Sequence, residues 1–195
     1  MVSASRNEDD SWARFVERSA RGERVELIDA ELVQKVSPSP EHGVAQAGLG
    51  EVLAPFRRRG GGGSGPGGWW LMTEVEVAYD AANVFRHDAV GFRKDAHPER
   101  PLGTPVRVRP DWAAEVLSPS TARYDLVEKL RTLEKAGVPY YWVIDPEHEI
   151  LTVHRLGGEG YVNALTAGIG DIVRAAPFDA IDISIAALFG HDEPG

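Results

Sequence analysis

Hydrophobic and polar positions change period several times along the chain. Val25-Glu26-Leu27-Ile28-Asp29 and Glu31-Leu32-Val33-Gln34-Lys35-Val36 alternate in part around Asp29-Ala30, which predicts a small hairpin. Ser39-Pro40-Glu41 then offers a capping hydroxyl, a proline preset for the first helical position and an acid for the first turn. The helix that follows carries Ala45, Leu49, Val52, Leu53 and Phe56 on one apolar stripe, and it ends before Arg57-Arg58-Arg59, whose charges suit a helix C-terminus. The run GGGGSGPGG over 60–68 has no side chains to pack and lacks the Lys-Ser/Thr ending of a phosphate-cradling loop, so it reads as a flexible loop within one domain.

Two strand-like runs, Trp69 to Tyr79 and Phe85 to Phe92, flank the polar turn Asp80-Ala81-Ala82-Asn83 and predict an antiparallel pair. A long loop with Pro98, Pro101 and Pro105 leads to a third strand, Asp111 to Leu117, which Ser118-Pro119-Ser120-Thr121 breaks; Thr121 is placed to cap the next helix. That helix shows Leu126, Val127, Leu130 and Leu133 at helical spacing and is stopped by Gly137 and Pro139. Tyr140 to Ile144 reads as a buried strand, Ile150 to Leu156, Tyr161 to Leu165 and Asp171 to Arg174 as further strands, and Asp182 to Phe189 as a closing helix. Residues 1–22 form a polar segment with a short helix around Trp12 to Ser19, and 23–190 a single domain. The middle order, helix, strand, strand, strand, helix, strand, predicts a mixed α/β sheet with helices on its faces.

At 195 residues, with 43% hydrophobic and 26% charged positions, the composition is globular and excludes disordered, fibrous and coiled-coil classes. The absence of cysteine excludes disulfides, thiolate zinc sites and cysteine nucleophiles, so any metal must sit on oxygen or imidazole. No apolar run is long enough to cross a bilayer and the first ten residues are polar, which predicts a cytoplasmic protein. A net charge of -9 argues against a surface coated in basic groups. Yet residues 86–131 hold 9 basic against 7 acidic side chains, so a polyanionic substrate can still be met by the middle of the chain.

Acids in the predicted strands are the first candidates for chemistry. Asp88 lies in the second strand, and Asp111 and Glu115, four apart in the third, point to the same face. Such carboxylates suit a hard divalent ion, Mg²⁺ or Mn²⁺, that holds a phosphate oxygen and acidifies a water. The alternative is a set of strand-end acids in solvent, or paired with Arg86, Arg107 or Arg109. Lys129, four residues after Asp125, reads either as half of an exposed ion pair or as an amine that orients water and offsets charge on a phosphate. His42 fits either a capping or packing role or an approach to the site, Glu74 and Glu76 a solvated strand face, and Trp112, Trp142, Tyr140 and Tyr141 core or subunit contacts. His148 and His154 lack ligand spacing.

The stretch PDWAAEVLSPSTARYDLVEKLRTLEKAGVPYYWVIDPEHEILTVHRL, residues 110–156, resembles the signature of the Uma2 family, restriction-endonuclease-like proteins of the PD-(D/E)XK nuclease superfamily, and VELIDAELVQKVSPSPEH and FRHDAVGF extend the likeness to residues 25–156. The resemblance implies a restriction-endonuclease-like α/β core with an N-terminal hairpin and extra C-terminal strands. It implies a Mg²⁺- or Mn²⁺-dependent endonuclease acting on DNA, with Asp88 and Glu115 as metal ligands, the Val116 carbonyl reaching the same ion, Asp111 as a further ligand or structural acid, and Lys129 as a catalytic lysine moved to the helix because Leu117 stands in its usual place. His87 replaces a usual proline and Ala30 a usual turn glycine. The resemblance also implies pairing as a homodimer. Two other readings stay open: a nuclease-fold module that binds DNA or protein without catalysis, and a hydrolase of another phosphate ester.

Overall fold

A computed structural model describes residues 2–57, 65–118 and 122–192, with side chains from residue 9 onward. The expectations for Arg58-Arg59, for most of the glycine-rich run and for Thr121 as a cap lie outside the described residues. Helix α1, Val2–Ala20, begins well before the stretch expected around Trp12, because no Gly or Pro interrupts it before Gly22 and its first turns are too polar to show a stripe. Its Phe15 is fully buried against Val25, Leu27 and Val84. Strands β1, Val25–Ile28, and β2, Glu31–Gln34, form the predicted hairpin. Asp29 and Ala30 take φ of 49° and 62°, the two consecutive left-handed residues that a type I′ turn demands.

The Ser39 hydroxyl accepts the His42 N–H at 3.2 Å and starts α2, Pro40–Val52; one further turn, α3, Ala54–Arg57, continues the stripe. Ala45, Leu49, Leu53 and Phe56 are buried on it, as their spacing predicts. Strands β3, Trp69–Ala78, and β4, Val84–Arg93, pair antiparallel along their length, and β5, Trp112–Val116, joins β4 antiparallel. A π-helical turn, Tyr124–Lys129, runs into α4, Leu130–Ala136, which ends at the left-handed Gly137 and returns the chain to β6, Tyr140–Asp145, parallel to β5. β7, Ile150–Gly157, and β8, Gly160–Gly168, extend the sheet antiparallel. The result is the mixed α/β sheet expected from the order of elements, with the nuclease-like core that the resemblance implies.

Alternation along β5 and β6 divides the interior. Trp112, Ala114 and Val116 with Trp142 and Ile144 face α2, while Ala113, Tyr141 and Val143 face Leu133 of α4. Phe178 sits among the rings of Phe56, Trp69, Trp112 and Trp142, with centroids 4.8 to 5.5 Å away. Trp112, Trp142 and Tyr141 are therefore consumed in the core, which removes them as a subunit interface.

Two further expectations are corrected. Leu126 is 45% exposed, because the π-helical turn brings Asp125 and Lys129, not Leu126, to the inner face. The closing helix shrinks to α5, Ile185–Leu188: Ile181-Asp182-Ile183-Ser184 alternates like a strand, and Ile183–Ser184 (β10) pairs with Ile172–Val173 (β9) before Ser184 caps the helix. The proline-rich loop after β4 is tied down where Val106 exchanges backbone hydrogen bonds with Glu76 and Ala78 along the outer edge of β3.

The position of the site follows from β4. β3 covers one edge of it from Arg93 to Val84, so β5 and β1 share the other edge, β5 pairing at Ala89 to Gly91 and β1 at Val84 alone. Between these two, residues 85–88 border a fork with no strand partner on that edge among the described residues.

Candidate active site

Buried backbone groups left without a strand must be satisfied by something else. At the fork polar and charged side chains do this. The Arg86 N–H donates to Glu26 Oε1 at 2.8 Å, the Arg86 carbonyl accepts from Lys35 Nζ at 2.7 Å, and the Asp88 carbonyl accepts from Gln46 Nε2 at 3.1 Å. From the facing strand the Val116 N–H donates to Asp88 Oδ2 at 2.8 Å. Glu26, Lys35, Asp88, Glu115, Asp125 and Lys129 thus converge, and each is at most 8% exposed.

Each of the two central carboxylates has one anchored oxygen and one turned outward. Glu115 Oε1 accepts from His87 Nδ1 at 2.6 Å and from Lys129 Nζ at 3.0 Å, while Oε2 faces Lys35 Nζ at 3.5 Å. Asp88 Oδ2 is held by Val116, while Oδ1 lies 2.7 Å from Lys35 Nζ and 3.5 Å from His42 Nε2. Lys35, His42, Glu115, Val116 and Asp125 border a cavity of about 10 Å³, with Arg24 also lining it. That is room for about one water. Neither His42 ring nitrogen has a hydrogen-bond partner among the described residues, so this ring approaches the site and does not merely pack.

Lys129 is buried at 1% exposure and reaches Glu26 at 2.8 Å, Glu115 at 3.0 Å and Asp125 at 2.9 Å. This overturns the exposed-pair reading. The helical face supplies the reason, since the π-helical turn sets Asp125 and Lys129 side by side toward the sheet.

Four carboxylates against two ammonium groups leave the cluster negative, and the protonation equilibria reflect it. Burial pushes Glu115 up to about 7 against the pull of Lys129 and Lys35, and it pushes Asp125 up to about 6. Burial also opposes ionisation of Asp88 and Glu26, but the adjacent lysines overcome it and hold both below the usual carboxylate range. Both lysines are held above their ordinary value by the acids around them, in spite of burial. Burial drives His87 down to about 3, so its ring is neutral; its Nδ1–H is assigned to Glu115, and its Nε2 accepts from the Tyr79 hydroxyl at 2.7 Å.

Asp111 does not join this group. Four residues along a strand span roughly 13 Å, so two side chains on one face need not share an ion. Its carboxylate instead accepts the Arg93 N–H at 2.7 Å at the start of β5. At Val116 the observed contact with the cluster is the amide donated to Asp88. Glu76 is buried and paired with Arg86 and Ser19, and Glu74 pairs with Arg24 at 2.9 Å, so neither forms a solvated face. His148 bonds Asp145, and His154 stacks on Tyr141.

Sequence reasoning missed Lys35, Glu26 and His87. The one hint is at Glu26, an acid within the run Val25–Ile28, all four residues of which are buried; it signals burial but not the partners. Among the described residues no three His, Asp or Glu side chains gather as a ready cation site. The donor chemistry nonetheless suits a hard ion, since Asp88 Oδ1 and Glu115 Oε2 face a common position and the cluster carries excess negative charge. Lys35 is the group that lies against both oxygens.

No curated protein matches the chain. Among solved structures it is similar to the crystal structure of a putative nuclease belonging to DUF820 from Anabaena variabilis, at 20% identity and a TM-score of 0.62, covering 85% of this chain and 89% of that one. That likeness supports the fold. Among the described residues no helix is long and apolar enough to cross a membrane. The family described as "putative restriction endonuclease", Uma2, matches residues 12–186, which hold every strand of the sheet and every member of the buried cluster, and the chain belongs to that family.

Proposed function

We propose that the protein is a divalent-metal-dependent endonuclease that hydrolyses DNA phosphodiester bonds at the β4–β5 fork. The observation that carries this reading is the pair of outward oxygens, Asp88 Oδ1 and Glu115 Oε2, turned to one position beside a small water-sized cavity. Mg²⁺ or Mn²⁺ would be held there by Asp88 and Glu115, with the Val116 carbonyl as a third oxygen. A residue's N–H and C=O leave a strand on the same edge, and the Val116 N–H already points to Asp88. When bound, such an ion polarises a phosphoryl oxygen and acidifies a water.

The chain's own residues do the rest. Without the ion, burial holds Glu115 at about 7, so a proton and the ion would compete for its carboxylate near neutral pH. His87 and Lys129 fix its inner oxygen, which leaves the outer one to hold the ion. Lys35, which borders the cavity, places positive charge where a phosphate gains negative charge in the transition state, and Lys129 holds the carboxylates behind it in place. Arg24, beside the cavity and paired with Glu74, would exchange that carboxylate for a DNA backbone phosphate.

The test is a panel of duplex DNA, single-stranded DNA, RNA and a small phosphodiester, each with Mg²⁺ or Mn²⁺, comparing wild type with Asp88→Asn. Metal-dependent cleavage of DNA by wild type and a loss of about a thousandfold or more in the variant is expected. Preference for the small ester would reassign the substrate. Tight DNA binding without cleavage would favour a binding module.

A further inference from the structure

The cluster contains two buried lysines, and their surroundings differ. Lys129 Nζ has three hydrogens and three carboxylates around it, from Glu26, Glu115 and Asp125. Its donors are spent, the Phe85 ring lies 5.7 Å away, and the residue is 1% exposed. Lys35 follows β2 on the hairpin, borders the cavity, and lies at 2.7 and 3.5 Å from the two oxygens that face outward. Its remaining contact is one backbone carbonyl, that of Arg86.

The carboxylates divide in the same way. Lys129 touches the inner oxygen of Glu115, the one also bonded by His87, whereas Lys35 touches the outer oxygens of both Asp88 and Glu115. A phosphate or cation arriving at the cavity meets Lys35 first, and Lys129 lies behind Glu115. A lysine has a flexible four-carbon stem and a compact charge, so its ammonium can move from a carboxylate to a neighbouring phosphate oxygen with little displacement of the backbone.

Resting on the nuclease reading above, we propose that Lys35 is the lysine that contacts the scissile phosphate, and that Lys129 is a fixed counter-charge that keeps Glu115, Glu26 and Asp125 together. Lys35 balances Asp88 and Glu115 in the resting protein. When substrate enters, its ammonium passes to a non-bridging phosphate oxygen and offsets the charge developing there.

The experiment compares single-turnover cleavage of an end-labelled DNA duplex in Mn²⁺ by wild type, Lys35→Met, Lys35→Gln, Lys35→Arg and Lys129→Met, with the melting temperature of each. Lys35→Gln keeps a donor toward Asp88 and guards against a Lys35→Met chain that does not fold. The expected result is that the neutral Lys35 variants cleave about a hundredfold or more slowly while remaining folded. Lys35→Arg should recover part of the rate, and Lys129→Met should show its main loss in melting temperature. Wild-type rates in a folded Lys35→Gln, with Lys129→Met folded and inactive, would overturn the assignment while leaving the nuclease reading intact. A wild type that cleaves no nucleic acid would instead overturn the nuclease reading, and this assignment with it.

Discussion

His87 Nδ1 lies 2.6 Å from Glu115 Oε1, and both residues are buried. Tyr79 closes the other side of the ring at 2.7 Å, so the imidazole is locked between a phenol and a carboxylate. A neutral histidine in this position orients the carboxylate without adding charge. His87→Phe removes the donor and frees Glu115 to rotate; a loss of about ten- to a hundredfold in cleavage rate is expected, as for other groups that orient a metal-binding side chain. His87→Asn, which can still donate, should retain more of the rate. Single-turnover kinetics on both variants checks this.

The raised acids give stability a definite pH slope. Glu115 at about 7 and Asp125 at about 6 bind protons more tightly folded than unfolded, so their contribution is full below the ordinary carboxylate range and is lost as pH rises through 6 and 7. Asp88, held low by Lys35, and His87, driven down to about 3 by burial, act in the opposite sense; the Asp88 part falls at acid pH, and the His87 part offsets some of the loss below its ordinary value of 6.5. In a chelator, the melting temperature should therefore fall between pH 5 and about 8. Manganese should lessen that fall, because a cation replaces the missing positive charge. Differential scanning calorimetry with and without the ion measures both effects.

Replacing Glu115 by Gln removes one buried charge from an over-negative cluster. At pH 8 a gain in stability of about 1 to 3 kcal/mol is expected together with loss of cleavage, the trade that functional charge clusters commonly show. Urea unfolding compared at pH 5 and pH 8 tests it: the gain should shrink at pH 5, where Glu115 is already protonated.

Ala30 holds φ of 62° in the hairpin turn, where a side chain is strained and glycine is not. Ala30→Gly should stabilise the chain by about 1 kcal/mol with no change in cleavage. Gly48→Ala acts the other way. Its added methyl would strike the Leu188 carbonyl where α2 meets α5, and a loss of about 2 kcal/mol or more is expected by thermal unfolding.

Much of this architecture was legible in spacing. Ser39-Pro40 marked the start of α2, Gly137 the end of α4, and the alternation of β5 and β6 the division of the core, because each is a local rule that the tertiary structure does not override. Asp88, Glu115 and Lys129 were legible through a family pattern, and the fold brings them within a hydrogen-bonded group. Lys35 and Glu26 were not, since their role arises from the forked edge of β4, a relation between segments distant in sequence that no local period encodes. Asp111 misled because a shared strand face says nothing of distance along the strand. Leu126 misled because a π-helical turn changes which face is inner.

The most direct test of the account is the rate at which purified wild-type protein and Glu115→Gln cut an end-labelled DNA duplex in Mn²⁺, with a chelator control. Cleavage by the wild type that the chelator abolishes, and none by a Glu115→Gln chain that melts no lower than wild type, is the predicted result. Equal cleavage by both proteins would place the chemistry elsewhere and contradict the account.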